Sequence, residues 1–452
     1  TISIPNDNAV LVVRYLGYAT QEVSVGSKSS LEIAMVANAA DLAQVVVVGY
    51  GTQKKKDLTG AITTFKPSET TGQSVTSPDQ LLQGRVSGIN ITNSSGVPGA
   101  GVRVSVRGIG SINGSNEPLY VIDGIPVNNT DSSPLNGQNF GGGTSNPLST
   151  INPSDIESFD ILKDAASASI YGSRATNGVV IITTKKGKSG KTEVNFNSYV
   201  GIQNLPKKIE EVDTQTYFTV LNEARTNFNN QKGLTSSMSG FLAPLSDPRA
   251  VKIPDTDWVG LVTNKNALTN NNDISFRGGT DITKFYSSFS NTNQDGTIKT
   301  SRFQRFSGRL NVDHKVSERI SIGMNVQLSK TIMNRIPSDL AGNAILLRAL
   351  EQRPYDVPYK ADGTYSIGGV DILRHNGVQS MNEEKSENIA NKTLASVYTN
   401  VKIIDGLSYK GTLNVDMGNT HDYLYLNQFH PYGKPAGVVY DFTSNFNTVI
   451  VQ

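Results

Sequence analysis

The sequence predicts a mainly β protein: a transmembrane antiparallel β-barrel that follows a compact α+β unit and the end of a small β-sandwich. Beyond Lys191, segments alternate apolar and polar residues with period two, and the connections between them are by turns long and tight. A third observation concerns hydropathy. No stretch approaches the ~18–20 consecutive apolar residues of a membrane-spanning helix, whereas barrel strands need only ~9–11 residues with one apolar face.

Residues 1–37 contain short β segments. Val10, Val12 and Arg14 alternate with Leu11, Val13 and Tyr15; Gly17-Tyr18 forms a turn, and Gln21–Val25 and Leu31–Met35 follow. These read as closing strands of a β-sandwich. Thr1–Pro5 and Asn447–Gln452 both read as strand, so both ends are expected to be cut from a longer chain. A small-residue linker, Ala37–Gln44, leads to four consecutive valines, Val45–Val48, then Gly49 and a Lys54-Lys55-Lys56 run. On the residues alone Val45–Gly49 is either an ordinary strand or an extended segment offered to a partner that adds a strand to it.

From Asp57 to about Lys188 the pattern is α+β. A short helix is expected at Asp79–Leu82, with strands at Val102–Arg107, Leu119–Ile122, Ile156–Leu162 and Val179–Lys185. Phe159 and Ile161 share one face of the third of these strands. Ala165–Tyr171 reads as a helix ending at Gly172, and Asn177-Gly178 is a strong turn signal. The stretch from Pro126 to Pro147 reads as a loop. Glycines 84, 88, 108, 124, 172 and 178 are expected to serve backbone geometry.

After Lys191, Ile320, Ile322, Met324, Val326 and Leu328 alternate with Ser321, Gly323, Asn325, Gln327 and Ser329. Leu310 and Val312 alternate with Arg309, Asn311 and Asp313, and Leu407–Met417 repeats the pattern. Such alternation fits lipid outside and water inside somewhat better than its alternative, a large soluble antiparallel sheet. Connection lengths decide. With Val194–Gln203 as first strand, a connection of about 69 residues (204–272) precedes a tight turn near Gly278–Asp281. A medium loop at Asn291–Thr300, a tight turn near Lys315–Arg319, about 60 residues (332–391) and a tight turn at Asp405-Gly406 complete the series. Helical patches at Thr214–Ala224 and Ala344–Leu350 sit within the two long connections.

The formal net charge of +2 argues against a nucleic-acid surface, and the absence of cysteine excludes disulfides and thiolate metal sites. Gly187-Lys188-Ser189 and Gly190-Lys191-Thr192 lack the first glycine of a phosphate loop, and Gly108-Ile109-Gly110 lacks the third glycine of a dinucleotide fingerprint. His314, His375, His421 and His430 have no metal-ligand spacing. No catalytic residue, metal or cofactor is expected.

Five runs carry a resemblance: VVVVGYGTQKKKDLTGAI (45–62), LLQGRVSGINI (81–91), VRVSVRGIGS (102–111), PLYVIDGIPV (118–127) and NPSDIESFDILKDAASASIYGSRATNGVVIITTKKGK (152–188). In this order they resemble the SusC/RagA-like TonB-dependent transporters of the bacterial outer membrane. The resemblance implies a carboxypeptidase-regulatory-like β-sandwich ending at 37, a linker with a TonB box at 38–56, a plug domain at 57–188, and at 189–452 the first seven or eight strands of a barrel of about 22.

It also implies active import of a nutrient, an oligosaccharide more often than a peptide, across the outer membrane of a Gram-negative bacterium. The N-terminal domain and TonB box would lie in the periplasm. Implied partners are the C-terminal domain of TonB at Val45, Val46, Val47, Val48 and Gly49, a SusD-like surface lipoprotein as lid, a second copy of that pair, the substrate and outer-membrane lipid. Arg103, Arg107, Asp123, Lys163, Asp164 and Arg174 are candidates for polar pairs within the plug or against the barrel wall. Asn113, Asn116, Asn128, Asn129 and Asn139 are substrate-facing loop candidates. The alternative is an outer-membrane receptor whose N-terminal domain signals to a transmembrane regulator. A passive porin, lacking a plug, and a soluble glycan-binding β-protein are further alternatives.

Overall fold

The computed structural model describes residues 10–13, 21–24, 33, 45–48, 51–54, 62–67, 75–93, 95–112, 115–127, 147–206, 210–336, 344–366, 376–430 and 433–452. Near the start, β1 (Val10–Val13) pairs antiparallel with β2 (Gln21–Ser24), and β3 (Val45–Val48) with β4 (Gly51–Lys54). The strand expected at Leu31–Met35 lies outside the described residues, Ile33 excepted.

The α+β unit contains β5 (Ile62–Phe65), β6 (Ile89–Asn93), β7 (Val102–Val106), β8 (Leu119–Ile122), β9 (Ile125–Pro126), β10 (Ile156–Leu162) and β11 (Val179–Thr184). β6 and β7 form a hairpin, and the other five make one sheet in the order β5-β10-β11-β8-β9. Its central pair, β11 and β8, is parallel, and both strands are continuous apolar runs, as a sheet covered on both faces requires. On one face Phe65, Tyr120, Ile122, Phe159, Ile161, Val180 and Ile182 pack under the hairpin. On the other, Leu119, Val121, Leu162, Val179 and Ile181 pack against Ala168 at the end of α1 (Ala165–Ala168) and against Tyr171 and Ala175. The expected helix at Ala165–Tyr171 is α-helical for one turn only. A tighter 3-10 run, Ser169–Ala175, takes over, broken at Gly172 by a positive φ of 66°. The six glycines assigned to backbone geometry all have positive φ.

Eight strands then form a second sheet in strict chain order: β12 (Gly190–Gln203), β13 (Ala267–Gly279), β14 (Thr283–Asp295), β15 (Arg302–Lys315), β16 (Ile320–Asn334), β17 (Glu384–Ile404), β18 (Leu407–Leu426) and β19 (Val438–Val451). Every neighbouring pair is antiparallel. Alternation sorts the side chains by face. On β16, Asn325, Gln327, Ser329 and Thr331 are buried on the face toward the α+β unit, while Ile320, Ile322 and Leu328 are exposed on the other. Leu413 and Met417 on β18 are likewise exposed, with Asn414 and Asp416 buried.

Long and tight connections alternate as expected, but the long ones are shorter than the sequence reading placed them, spanning 204–266 and 335–383. The strands run past the length needed to cross a bilayer. Thr269–Asn272 lacks apolar alternation, yet pairs along its length with both neighbours. The long connections carry α2 (Thr214–Lys232), α3 (Trp258–Val262), α4 (Ile345–Leu350) and α5 (Gly377–Glu383). They share one apolar core, in which Trp258, Val262, Ile345, Ala349, Val378 and Met381 are buried and against which Val97, between β6 and β7, packs.

Candidate functional site

The α+β unit and the large sheet meet across a surface rich in buried polar groups, with Leu394 of β17 joining the unit's apolar core and the Phe303 ring of β15 lying against Gly99. Its centre is set by two local features. Asp123 and Gly124 both adopt positive φ, 49° and 89°, in the two-residue turn joining β8 to β9. That turn presents the Asp123 carboxylate to the end of β11. One oxygen accepts the Thr184 amide at 2.9 Å, and the other accepts the Thr184 hydroxyl at 2.6 Å. On the facing sheet, Arg305 and Arg309 lie four residues apart on β15 and so point to the same side.

Arg309 Nη1 donates to Asp123 Oδ2 at 3.1 Å and to Thr184 Oγ1 at 3.0 Å, and Nη2 to Gln327. Its Nε lies 3.8 Å from Asp155 Oδ2. The guanidinium is 2 % exposed and the two carboxylates 5 % and 4 %, so one buried cation is shared by two buried anions. Asp155 also accepts the Tyr286 hydroxyl at 2.8 Å. Two positions along, Asn311 Nδ2 donates to the Lys185 carbonyl at 2.7 Å.

Arg305 is held by neutral acceptors. Its Nη1 donates to the carbonyls of Thr76, Ser149 and Ile151 at 2.6, 3.0 and 3.1 Å, and Nη2 to Thr292 Oγ1 at 3.0 Å. Gln327 adds a bond to the Thr150 carbonyl at 3.2 Å. Charge-assisted bonds of this kind are individually strong in a dry setting, but water can replace every one of them. A surface of this composition adheres firmly while closed and separates without exposing a large apolar patch.

Of the six charged candidates from the sequence, Asp123 bonds to the large sheet. Asp164 caps α1 by accepting the Ser167 amide at 2.8 Å, and Lys163 Nζ donates to the Ser87 carbonyl at 2.6 Å. Burial and the neighbouring Arg107 lower the Lys163 pKa. Arg103, Arg107 and Arg174 are exposed. Among the asparagines, Asn116 closes its own loop, accepting the amides of Gly110 and Ser111 at 2.9 and 2.8 Å and donating to the Ser111 carbonyl at 2.8 Å. Asn113, Asn128, Asn129 and Asn139 lie outside the described residues. Val45–Val48 form β3 of a hairpin, and Gly49 is outside the described residues.

A second polar cluster lies inside the α+β unit. Glu117 accepts the Val104 amide at 3.1 Å and faces the Tyr120 hydroxyl at 3.4 Å. Burial pushes its carboxyl up to about 7, against the opposing pull of the Val104 amide.

Asp155, Thr184, Tyr286, Arg305, Arg309, Asn311 and Gln327 were not singled out as site residues from sequence. The one usable signal was two arginines on the inward phase of one strand.

Residues 54–179 match the family described as TonB-dependent Receptor Plug Domain. The chain is 30% identical over 442 residues to TonB-dependent receptor P3 of Formosa agariphila, covering 96% of this chain and 40% of that protein. With TonB-dependent receptor SusC of Bacteroides thetaiotaomicron it is 33% identical over 304 residues, covering 67% of this chain and 27% of SusC. In fold it is similar to the RagAB peptide transporter, with a TM-score of 0.65 and 25% identity over 85% of this chain and 44% of that one. The chain thus spans 40% or less of the length of these curated relatives.

Proposed function

We propose, because this chain belongs to the SusC/RagA-like TonB-dependent transporters, that the whole protein actively imports a nutrient across the outer membrane. On this reading residues 57–188 are the plug, 189–452 the first part of the barrel, 38–56 a linker with the TonB box, and 1–37 the end of a periplasmic β-sandwich. The observation that carries the reading is the shared burial of Arg309 between Asp123 and Asp155, which fastens the plug to the wall through exchangeable bonds. The long connections face outside the cell and the tight turns the periplasm.

TonB captures Val45–Gly49 by strand addition and pulls on the chain ahead of the plug. β3 must then leave its pairing with β4, a hairpin of four residue pairs that is marginal on its own. A SusD-like lipoprotein closes over the long connections, and the pair dimerises. The substrate is an oligosaccharide or a peptide; the similarity to the RagAB peptide transporter supports the second.

Deletion of Val45–Gly49 in the full-length protein tests the coupling role. The expected product inserts in the outer membrane with an unchanged melting temperature, fails to retain the TonB C-terminal domain in a pull-down and loses uptake. Unchanged TonB retention and uptake would refute the assignment.

A further inference from the structure

The register of the eight strands exposes a feature on the outer face that transport does not use. Most of that face is apolar, with Phe196, Phe289, Leu310, Leu328, Leu413 and Val449 among its exposed side chains. The apolar pattern ends at one transverse row: Ser198, Asn272, Asn291, Phe306, Lys330, Asn391, Asn419 and Asn445 are partners strand by strand, and the next row toward the long connections is polar at Asn270, Asn293, Gln304, His421 and Thr443. Directly beneath its middle lies a groove of about 750 Å³. Phe196, Ile274, Phe289, Phe306 and Leu328 line it, Gly308 leaves its floor open, and Asn272, Asn291, Lys330 and Asn391 form its polar rim.

The rim sits where a lipid headgroup would. Lys330 is ten residues from Ile320, at the tight-turn end of β16, which at the usual strand tilt is about 25 Å along the barrel axis, the height of the apolar band. The arginine and the other lysine on this face are already matched: Arg302 lies 3.3 Å from Asp295 and Lys385 3.5 Å from Glu387. Among the described residues no carboxylate lies within ion-pair distance of Lys330. An apolar slot below, amides at its rim and one unmatched ammonium describe an amphiphile with an anionic head.

We propose that this groove holds a lipid whose phosphate headgroup carries net negative charge, its acyl chain over Gly308 and its phosphate against Lys330 and the flanking asparagines. The proposal rests on the transmembrane reading of the sheet but not on import, and its readout is lipid retention rather than uptake.

The test is native mass spectrometry of the full-length protein released from detergent micelles doped with lipid A, phosphatidylglycerol or phosphatidylcholine. Retention of either phosphate-headed anionic lipid above phosphatidylcholine is expected, the two anionic arms reporting the source of the phosphate. K330Q should weaken that retention about fivefold, from ~1 kcal/mol per lysine near a charged surface. G308L should weaken retention of all three lipids, because a Cβ at 308 meets the Phe289 ring at 3.6 Å, ordinary contact, and a longer side chain fills the slot. Phosphatidylcholine retained as well as the anionic lipids, or K330Q binding like wild type with an unchanged melting temperature, would overturn the proposal.

Discussion

The plug adheres to itself and to the wall in two different ways. Inside, Phe159, Ile161, Val180 and Ile182 are fully buried between hairpin and sheet, with the Phe65 and Phe159 ring centroids 6.1 Å apart. At the wall, buried polar groups predominate, Arg305, Arg309, Asp123, Asp155, Asn311 and Gln327, with Phe303 and Leu394 as apolar exceptions. Apolar packing has no substitute in water, so the plug core resists separation. Hydrogen bonds and ion pairs do have one, so the wall contact can open and re-form. The contrast teaches that two contacts of one domain can be held by forces that water replaces to very different degrees.

The largest expected effect is in the core. Phe159→Ala removes a fully buried ring and should cost about 3–5 kcal/mol. Amide exchange across Val179–Thr184 then reports loss of the plug sheet while the barrel strands stay protected.

Next comes the shared cation. Arg309→Met leaves Asp123 and Asp155 buried without a counter-charge, an effect of about 3 kcal/mol or more on docking. The plug should keep its own exchange protection but release from the wall at lower urea, read as a lower threshold for ion conductance in a planar bilayer. Adding Asp123→Asn and Asp155→Asn should restore docking, because the repulsion is gone. If single and triple variants release at the same urea concentration, charge sharing is not what fastens the plug.

The smallest effect tests the polar cluster inside the plug. The Glu117 carboxyl is raised to about 7 from an ordinary 4.5. The folded plug therefore binds a proton more tightly than the unfolded chain, and stability falls as pH rises from 4.5 through 7. Glu117→Gln imitates the protonated form and should flatten that part of the melting profile. A slope unchanged by the substitution would remove Glu117 from the account.

The sequence makes the strands legible and leaves the fastening unread. Alternation on Ile320–Lys330 assigns each side chain of β16 to its face, because a period of two leaves no freedom once one face is apolar. The Asp-Gly turn at 123–124 and the continuous apolar runs of β8 and β11 are equally local signals. Arg309 was recognised as a hydrophilic member of its strand, but its partner Asp123 is 186 residues earlier. Nothing periodic links two such positions, and only the folded register brings them together. Polar runs mislead in the opposite direction. Thr269–Asn272 reads as loop by composition, yet strand pairing on both sides holds it extended.

β5 comes first in the plug sheet along the chain and last in its spatial order. Among the described residues it has a neighbour on one side only, β10, and touches it through four residue pairs from Ile62–Leu162 to Phe65–Phe159. Tension applied ahead of Ile62 therefore arrives at a border strand. Taking that strand away leaves β10, β11, β8 and β9 joined to one another, with Asp123 and Thr184 still clasping Arg309. Under such tension the first strand to part would be β5, peeled from the margin while the rest of the sheet stays docked.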